Sequence, residues 1–163
     1  MMSSLQGVDF HQTPRSIFLA GSRLLVAVSS PWASERFAAP ILDLAQRLGS
    51  EVIVAHVAEV QNEDEHESDA KQRGEETLKL LTERLTEAGI HSESLMLFSD
   101  DVPKAILNTA KAQDCTMIVL GLSGDGFIRG IFKRLFASDV ATNILKSAEI
   151  PVLLCPNQWK GTV

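Results

Sequence analysis

The amino-acid sequence predicts an α/β fold: a doubly wound, five-stranded parallel sheet with helices on both faces. Two observations predict it. Five short β-prone runs are separated by segments with the apolar spacing of amphipathic helices. Parallel neighbours also need a crossover connection, and right-handed crossovers place helices on both faces of a sheet. With 163 residues, of which 45% are hydrophobic and 22% charged, the chain suits one globular domain.

The first strand is predicted at 23–28, because "RLLVAV" is a continuous β-prone run bounded by "SSP". A helix follows, with apolar residues at helical spacing up to Gly49. These residues are Phe37, Ile41, Leu44, Ala45 and Leu48. Pro40 falls inside this helix, where a proline kinks the helix or shifts its start. The second strand is predicted at 51–57, "EVIVAHV".

The charged run "QNEDEHES" after the second strand predicts a solvated loop or a frayed helix start. Its acidic residues do not match a calcium loop, which requires a fixed turn glycine. The next helix, closed by Gly89, has an apolar face formed by Leu78, Leu81, Leu85 and Ala88. The third strand, at 92–98, alternates polar and apolar residues, which is typical of an edge or half-exposed strand.

The second half of the chain continues the alternation. Asp101 is predicted to cap a helix with Pro103 in its first turn. The inward residues of that helix are Ala105, Ile106, Thr109 and Ala110. The fourth strand is predicted at 115–121, "CTMIVLG", and the fifth at 151–156, "PVLLCP". Between them lies a helix with one apolar face, formed by Val140, Ala141, Ile144, Leu145 and Ala148.

Composition and charge exclude several classes of partner. The net charge of −6 argues against a nucleic-acid-binding surface, which needs clustered cations. No segment reaches the roughly 20 apolar residues of a membrane span. Cys115 and Cys155 lack metal-ligand spacing, as do the four scattered histidines, so we expect no metal site and a reducing, cytoplasmic setting. Residues 1–20 are predicted to be a leader or arm, and 21–163 the domain.

The loops after the first and fourth strands, "SSPWAS" and "GLSGDGFIRGIFKRLFAS" (121–138), are the candidate site. In doubly wound sheets a ligand binds beyond the carboxyl ends of the strands, where the strand order reverses. Glycines after a strand let backbone amides approach an anion, and Arg129, Lys133 and Arg134 add positive charge. The longer loop is interpreted as a phosphate cradle. The alternative is a turn without ligand, in which Ser138 only caps a helix.

From about Arg23 to Cys155 the chain resembles the universal stress protein family. Four segments carry the resemblance: "RLLVAV", "RFAAPILDLAQRLGSEVIVAHV", "VPKAILNTAKAQDCTMIVLGLSG" and "ASDVATNILKSAEIPVLLCP". It implies an adenine nucleotide alpha hydrolase-like fold with strand order 3-2-1-4-5. It also implies a homodimer paired through the last strand, since an edge strand has free backbone groups.

The family divides into members that hold ATP and members that do not. The ATP-holding pattern is G-x2-G-x9-G-[S/T] after the fourth strand, with an aspartate at the end of the first. Gly121 and Gly124 match its first two glycines, and Ser138 matches its final hydroxyl residue. The chain departs in having twelve residues rather than nine after Gly124, Ala137 in place of the third glycine, and Ser29 in place of the aspartate.

The resemblance therefore implies a dimeric stress-response module that binds ATP, with Mg²⁺, or a related adenine nucleotide. The residues expected to border the adenine are Ala27, Val28, Ser29 and Val57. Those expected to border the phosphates are Gly121, Gly124, Ala137, Ser138 and Asp139. The alternative is a nucleotide-free member that acts through dimerisation and partner binding. No catalytic residue is assigned, because no nucleophile–base arrangement is identifiable, although slow ATP hydrolysis stays open.

Overall fold

The computed structural model describes residues 22–58, 66–121 and 140–156. Five strands and four helices alternate along these ranges. They are β1 (Arg23–Ala27), α1 (Pro31–Leu48), β2 (Glu51–Ala58), α2 (Glu67–Glu87), β3 (Ser92–Phe98), α3 (Val102–Ala112), β4 (Met117–Gly121), α4 (Val140–Ser147) and β5 (Val152–Cys155). The alternation is the one that the sequence predicts.

The strands form one all-parallel sheet in the order β3-β2-β1-β4-β5, which confirms the predicted topology. Strand β1 is central, with β2 on one side and β4 on the other. In its last position, Ala27 pairs with Ala55 of β2 and Leu120 of β4. The strand that follows β1 in the chain lies on one side of it, and the strand that follows β4 lies on the other side, so the carboxyl ends of β1 and β4 form the reversal point of the sheet.

Successive side chains of each central strand point to opposite faces, which creates two cores. Leu24 and Val26 of β1 lie in the core under α1 and α2. Leu25, between them, lies in the core under α3 and α4, and all three are almost fully buried. Burial on both faces explains why the strand reads as a continuous apolar run.

Helices α1 and α2 are joined by a buried hydrogen bond. The Ser34 hydroxyl of α1 donates to the Thr77 carbonyl oxygen of α2 at 2.5 Å, and both residues are fully buried. One turn earlier in α2, Gly74 lies against the sheet, where a Cβ would stand 2.7 Å from the Met96 Cε atom. The glycine therefore permits a close approach of α2 to β2 and β3.

The helix ends at Gly49 and Asp101 follow the predicted chemistry, and the cap at Ser30 is found only in the structure. Ser30 caps α1, Gly49 ends it in the left-handed conformation at φ 62°, and Asp101 caps α3. Helix α1 runs continuously from Pro31 through Pro40, so the internal proline does not shift its start. Pro31, in the first turn, removes no helical hydrogen bond, because an amide at that position has no intrahelical partner.

Some predicted boundaries and faces differ from the structure. Leu48 is 41% exposed and Leu145 is 50% exposed, so the apolar stripes of α1 and α4 are narrower than predicted. Ala88, predicted on the apolar face of α2, is exposed beyond the end of that helix. Strand β4 begins at Met117 rather than at 115, and the Thr116 amide just before it donates to the Arg23 carbonyl oxygen at 2.8 Å.

The predicted leader at 1–20 lies outside the described residues, as do 61–65 of the charged run. Helix α2 begins at Glu67, within the last letters of that run, in agreement with a helix start there. None of the described helices is long and apolar enough to cross a membrane.

Both cysteines are buried free thiols, one in each core. Cys115 lies under α3 and α4, and burial raises its pKa to about 11, although the nearby Arg23 charge lowers it in part. Cys155 lies in the core under α1 and α2, where burial raises its pKa to about 12. Neither thiol has the thiolate character that nucleophilic or redox chemistry requires.

These raised pKa values predict a loss of stability at alkaline pH. In the unfolded chain the thiols ionise near pH 8.5, whereas in the folded chain they stay protonated to about pH 11 and 12. Their contribution is thus fully present below about pH 8.5 and decreases as the pH rises through the folded values. The decrease is at most about 1.4 kcal/mol per pH unit for each thiol.

Urea unfolding at pH 8 and pH 10 measures this decrease. We expect Cys155→Ala to be less stable than wild type at pH 8, because it leaves a small void, but to lose less stability between the two pH values. An equal loss in both proteins would show that thiol ionisation does not cause the alkaline decrease.

Candidate functional site

The candidate site lies where β1 and β4 end side by side. Ala27 and Leu120 are register partners, and Gly121 follows Leu120 as the last residue of β4. The chain leaves β1 through Ser29 and Ser30, and the residues that follow Gly121 lie outside the described ranges. The predicted residues Ala27 and Gly121 are therefore brought close together by the sheet.

The turn after β1 is held by two backbone hydrogen bonds of Val28. Its amide donates to the Ala55 carbonyl oxygen at 2.9 Å. Its own carbonyl oxygen accepts from Nδ1 of the buried His56 at 2.8 Å. Ser29 follows and is exposed to solvent, and Ser30 then caps α1. Val28 is thus anchored, and Ser29 is the first residue of this turn that is available to a ligand.

The first turns of α1 and α3 offer few free amides. In α1, Pro31 has no N–H, the Ala33 amide donates to the Ser30 hydroxyl at 3.1 Å, and the Ser34 amide donates to the Ser30 carbonyl at 3.0 Å. Helix N-termini bind anions through such amides. Of the first amides of α1, which have no intrahelical partner, Pro31 lacks one and Ala33 donates its own to the cap, so fewer donors are left for an anion.

Helix α3 repeats this construction. Pro103 has no N–H, the Lys104 amide donates to the Asp101 carboxylate at 3.1 Å, and the Ala105 amide donates to the Asp101 carbonyl at 3.0 Å. The Asp101 charge also opposes the approach of a phosphate. The predicted phosphate cradle at 122–139 stays a prediction, because those residues lie outside the described ranges.

The α3 face of this edge carries apolar residues that are only half-buried. Four of them, which we call the apolar shelf, pack against the core under α3 and α4: Ala27, Val57, Leu97 and Val102. Val57 and Leu97 are register partners on β2 and β3. Half-buried apolar surface of this kind suits an aromatic base. Two of the predicted adenine-bordering residues, Ala27 and Val57, belong to the shelf.

Val28 is placed differently from its predicted neighbours. Its side chain is 5% exposed and packs in the core under α1 and α2, on the opposite face of the sheet. Only its backbone faces the reversal point. Of the residues predicted to border the adenine, Ala27 and Val57 therefore lie on one face of the sheet. Ser29 is exposed in the turn that follows β1.

Gly121 has a packing role that the sequence does not reveal. A Cβ at this position would stand 2.6 Å from the Cε2 atom of Phe37, which is 3% exposed in α1. Gly121 is not among the described residues with positive φ, so backbone conformation does not require the glycine. Close approach of the Phe37 ring explains it, independently of any ligand.

The remaining predicted site residues, Gly124, Ala137, Ser138 and Asp139, lie outside the described residues, together with the three cations of the loop. Their roles stay predictions. Over the described ranges, no group of three or more His, Cys, Asp or Glu residues could hold a metal ion.

Two residues that shape this site were missed from the sequence. His56 was grouped with three scattered histidines, although a polar residue inside the otherwise apolar "EVIVAHV" is a signal for a buried hydrogen bond. Phe37 was assigned only to the apolar face of α1. Its contact with Gly121 joins residues 84 positions apart, and no local pattern predicts it.

The comparison with family models decides the classification. The model of the universal stress protein family matches residues 22–156. The chain belongs to the universal stress protein family. A comparison with curated proteins found no match.

Solved structures of universal stress proteins share the fold. The chain is similar to the universal stress protein from Archaeoglobus fulgidus, with a TM-score of 0.63, 23% identity, and coverage of 82% of this chain and 97% of that one. A structure of the protein from the same organism in complex with dAMP has a TM-score of 0.58 and 21% identity, with 82% and 96% covered. A family protein from Arabidopsis thaliana with AMP bound has a TM-score of 0.56 and 17% identity, with 83% and 91% covered.

The contact between Phe37 and Gly121 predicts the effect of enlarging the glycine. Gly121→Ala should destabilise the protein by about 1–3 kcal/mol, because the added methyl group overlaps the buried ring. The measurement is the free energy of unfolding in urea.

The matched control is the double variant Gly121→Ala with Phe37→Leu, which makes room for the methyl group. We expect it to be no less stable than Phe37→Leu alone. If Gly121→Ala were as destabilising in the Phe37→Leu background as in wild type, the glycine would not be required by the ring.

Proposed function

We propose that this universal stress protein binds an adenine nucleotide at the carboxyl ends of β1 and β4. ATP with Mg²⁺ and AMP are the ligands to test first. The observation that carries the proposal is the half-buried apolar shelf beside exposed Ser29 at the reversal point of the sheet. The dAMP and AMP complexes of proteins with this fold support it.

In this proposal the adenine lies on the shelf formed by Ala27, Val57, Leu97 and Val102. The Ser29 hydroxyl reaches the ribose, and the backbone of Gly121 marks the start of the phosphate-binding segment. Gly124, Ala137, Ser138 and Asp139 complete it. Since α1 and α3 each have one early amide bonded to the cap side chain and one proline without an amide, most of the phosphate affinity comes from this loop and its cations.

Isothermal titration with AMP, and with ATP and Mg²⁺, tests the proposal, and Ser29→Asp sharpens it. A carboxylate accepts a stronger hydrogen bond from a ribose hydroxyl than a serine does, so we expect about five- to tenfold tighter binding of AMP. Ser29→Ala, which removes the hydroxyl at the same exposed position, should bind more weakly than wild type.

The nucleotide site would be excluded if neither wild type nor Ser29→Asp gave saturable heat at millimolar nucleotide. Equal affinities for the aspartate, serine and alanine forms would show that a nucleotide binds away from Ser29.

The second candidate function is that of a nucleotide-free member that acts through dimerisation and partner binding. Three observations favour it: Ser29 stands where ATP-holding members have an aspartate, the first-turn amides of α1 and α3 are capped, and Gly121 has a packing reason to be glycine. In either function we expect a stress-response module of the cytoplasm, where the two buried thiols stay reduced.

We further propose that the module is a homodimer paired through β5. In the described sheet β5 pairs only with β4, so its other edge has free backbone groups, and Val152, Leu153 and Leu154 are only half-buried. Leu145, 50% exposed, lies on α4, the helix that leads into β5. An edge strand with adjacent apolar surface suits an isologous two-fold contact.

Leu145→Glu tests the dimer, with Leu48→Glu as the matched control. Both leucines are exposed. Leu48 lies at the end of α1, on the face of the sheet opposite to α4. Light scattering after gel filtration should give a dimer for wild type and Leu48→Glu, and a shift toward monomer for Leu145→Glu. A wild-type monomer at micromolar concentration, or a Leu145→Glu dimer as stable as wild type, would contradict the proposed contact.

A further inference from the structure

His56 is a buried polar residue near the end of a central strand, and the proposed nucleotide site does not include it. It lies on β2 between Ala55 and Val57, is 3% exposed, and is paired in register with Met96 of β3. A buried imidazole in an apolar strand loses its hydration and needs hydrogen bonds in compensation.

The hydrogen bond from His56 is made to the backbone of another strand. Its Nδ1 atom lies 2.8 Å from the carbonyl oxygen of Val28. A carbonyl oxygen only accepts, so Nδ1 carries the hydrogen and donates it. The last backbone hydrogen bond between the β1 and β2 segments runs from the Val28 amide to the Ala55 carbonyl oxygen. The His56 side chain adds one more bond between the two segments beyond that point.

The imidazole is also confined from the α2 side. A Cβ on Gly74 would stand 2.7 Å from the Cδ2 atom of His56. The same Cβ would stand 2.7 Å from the Met96 Cε atom. The ring and the methionine side chain therefore both lie directly against the Gly74 backbone, and close packing there restricts the rotation of the ring.

The anchored carbonyl directly precedes the turn that faces the ligand. Val28 is followed by exposed Ser29 and by Ser30, whose hydroxyl and carbonyl accept the Ala33 and Ser34 amides of α1. Displacement of Val28 would move Ser29 and the cap together, since they are consecutive in the chain.

We infer that His56 is a positioning residue of the nucleotide site: through the Val28 carbonyl it sets the place of Ser29 and the start of α1. This inference rests on the proposed nucleotide function. His56 itself does not touch the ligand, and Gly74 holds its ring in place by leaving room for it.

Two variants separate the hydrogen bond from the packing. His56→Leu fills the space but has no donor. His56→Asn keeps an N–H near the position of Nδ1. A third variant, Gly74→Ala, keeps the His56 donor but places a methyl group against the ring, which must then move. It tests the inference in place of His56→Leu if that variant does not fold.

The control for a general loss of stability is Ser50→Ala, which lies at the amino-terminal ends of the strands, opposite the candidate site. The Ser50 hydroxyl is hydrogen-bonded to that of Ser22 at 2.5 Å, at the amino ends of β1 and β2. Its removal should lower stability without moving the turn after β1.

Two measurements read out the effect. Hydrogen exchange of a peptide covering 28–34 follows the amides of Val28, Ala33 and Ser34 without any nucleotide, and isothermal titration follows AMP affinity. We expect His56→Leu and Gly74→Ala to exchange at least tenfold faster over 28–34 and to bind AMP at least fivefold more weakly. His56→Asn should stay within about twofold of wild type in both, and Ser50→Ala should match wild type.

The inference would be overturned if 28–34 exchanged as slowly in His56→Leu as in wild type. It would also be overturned if His56→Asn showed the same fast exchange and weak AMP binding as His56→Leu. Equal effects of Ser50→Ala and His56→Leu would reduce the role of His56 to general stability. If wild type binds AMP and His56→Leu binds it equally well, this inference alone fails. If wild type binds no nucleotide, the proposed function fails, and the positioning role fails with it.

Discussion

The structure depends on the parallel pairing of β1 with β2 on one side and β4 on the other. This pairing buries β1 on both faces, so that its alternate side chains supply both cores. It also sets the direction of every connection, because a central strand with right-handed crossovers on each side sends α1 and α2 to one face and α3 and α4 to the other. The reversal point at which a ligand can bind is a consequence of the same arrangement.

Much of this architecture could be predicted from residue patterns, because the controlling interactions are local or periodic. The continuous apolar runs of β1 and β4 indicate burial on both faces, and the cap at Asp101 follows from a side chain next to the amide that it satisfies. The exposed Leu48 and Leu145 were assigned wrongly to apolar stripes, since spacing alone does not show how wide a face its neighbours cover.

The site was harder to predict because its geometry comes from contacts between distant segments. The bond from His56 to Val28 crosses 28 positions, and the Phe37 ring against Gly121 crosses 84. The sequence suggested a ligand reason for Gly121, whereas the structure supplies a packing reason. Ala27, at the end of β1, and Val57, next to the end of β2, do pack against the same core, while their role at an adenine stays a prediction.

The distribution of the two thiols gives each layer of the protein its own chemical marker. Cys115 is enclosed by the layer of α3 and α4, and Cys155 by the layer of α1 and α2. A reagent that reacts only with exposed sulfur reaches each thiol through the opening of its own layer. The order in which the two become modified under native conditions would therefore reveal which half of the sandwich loosens first, without any engineered label.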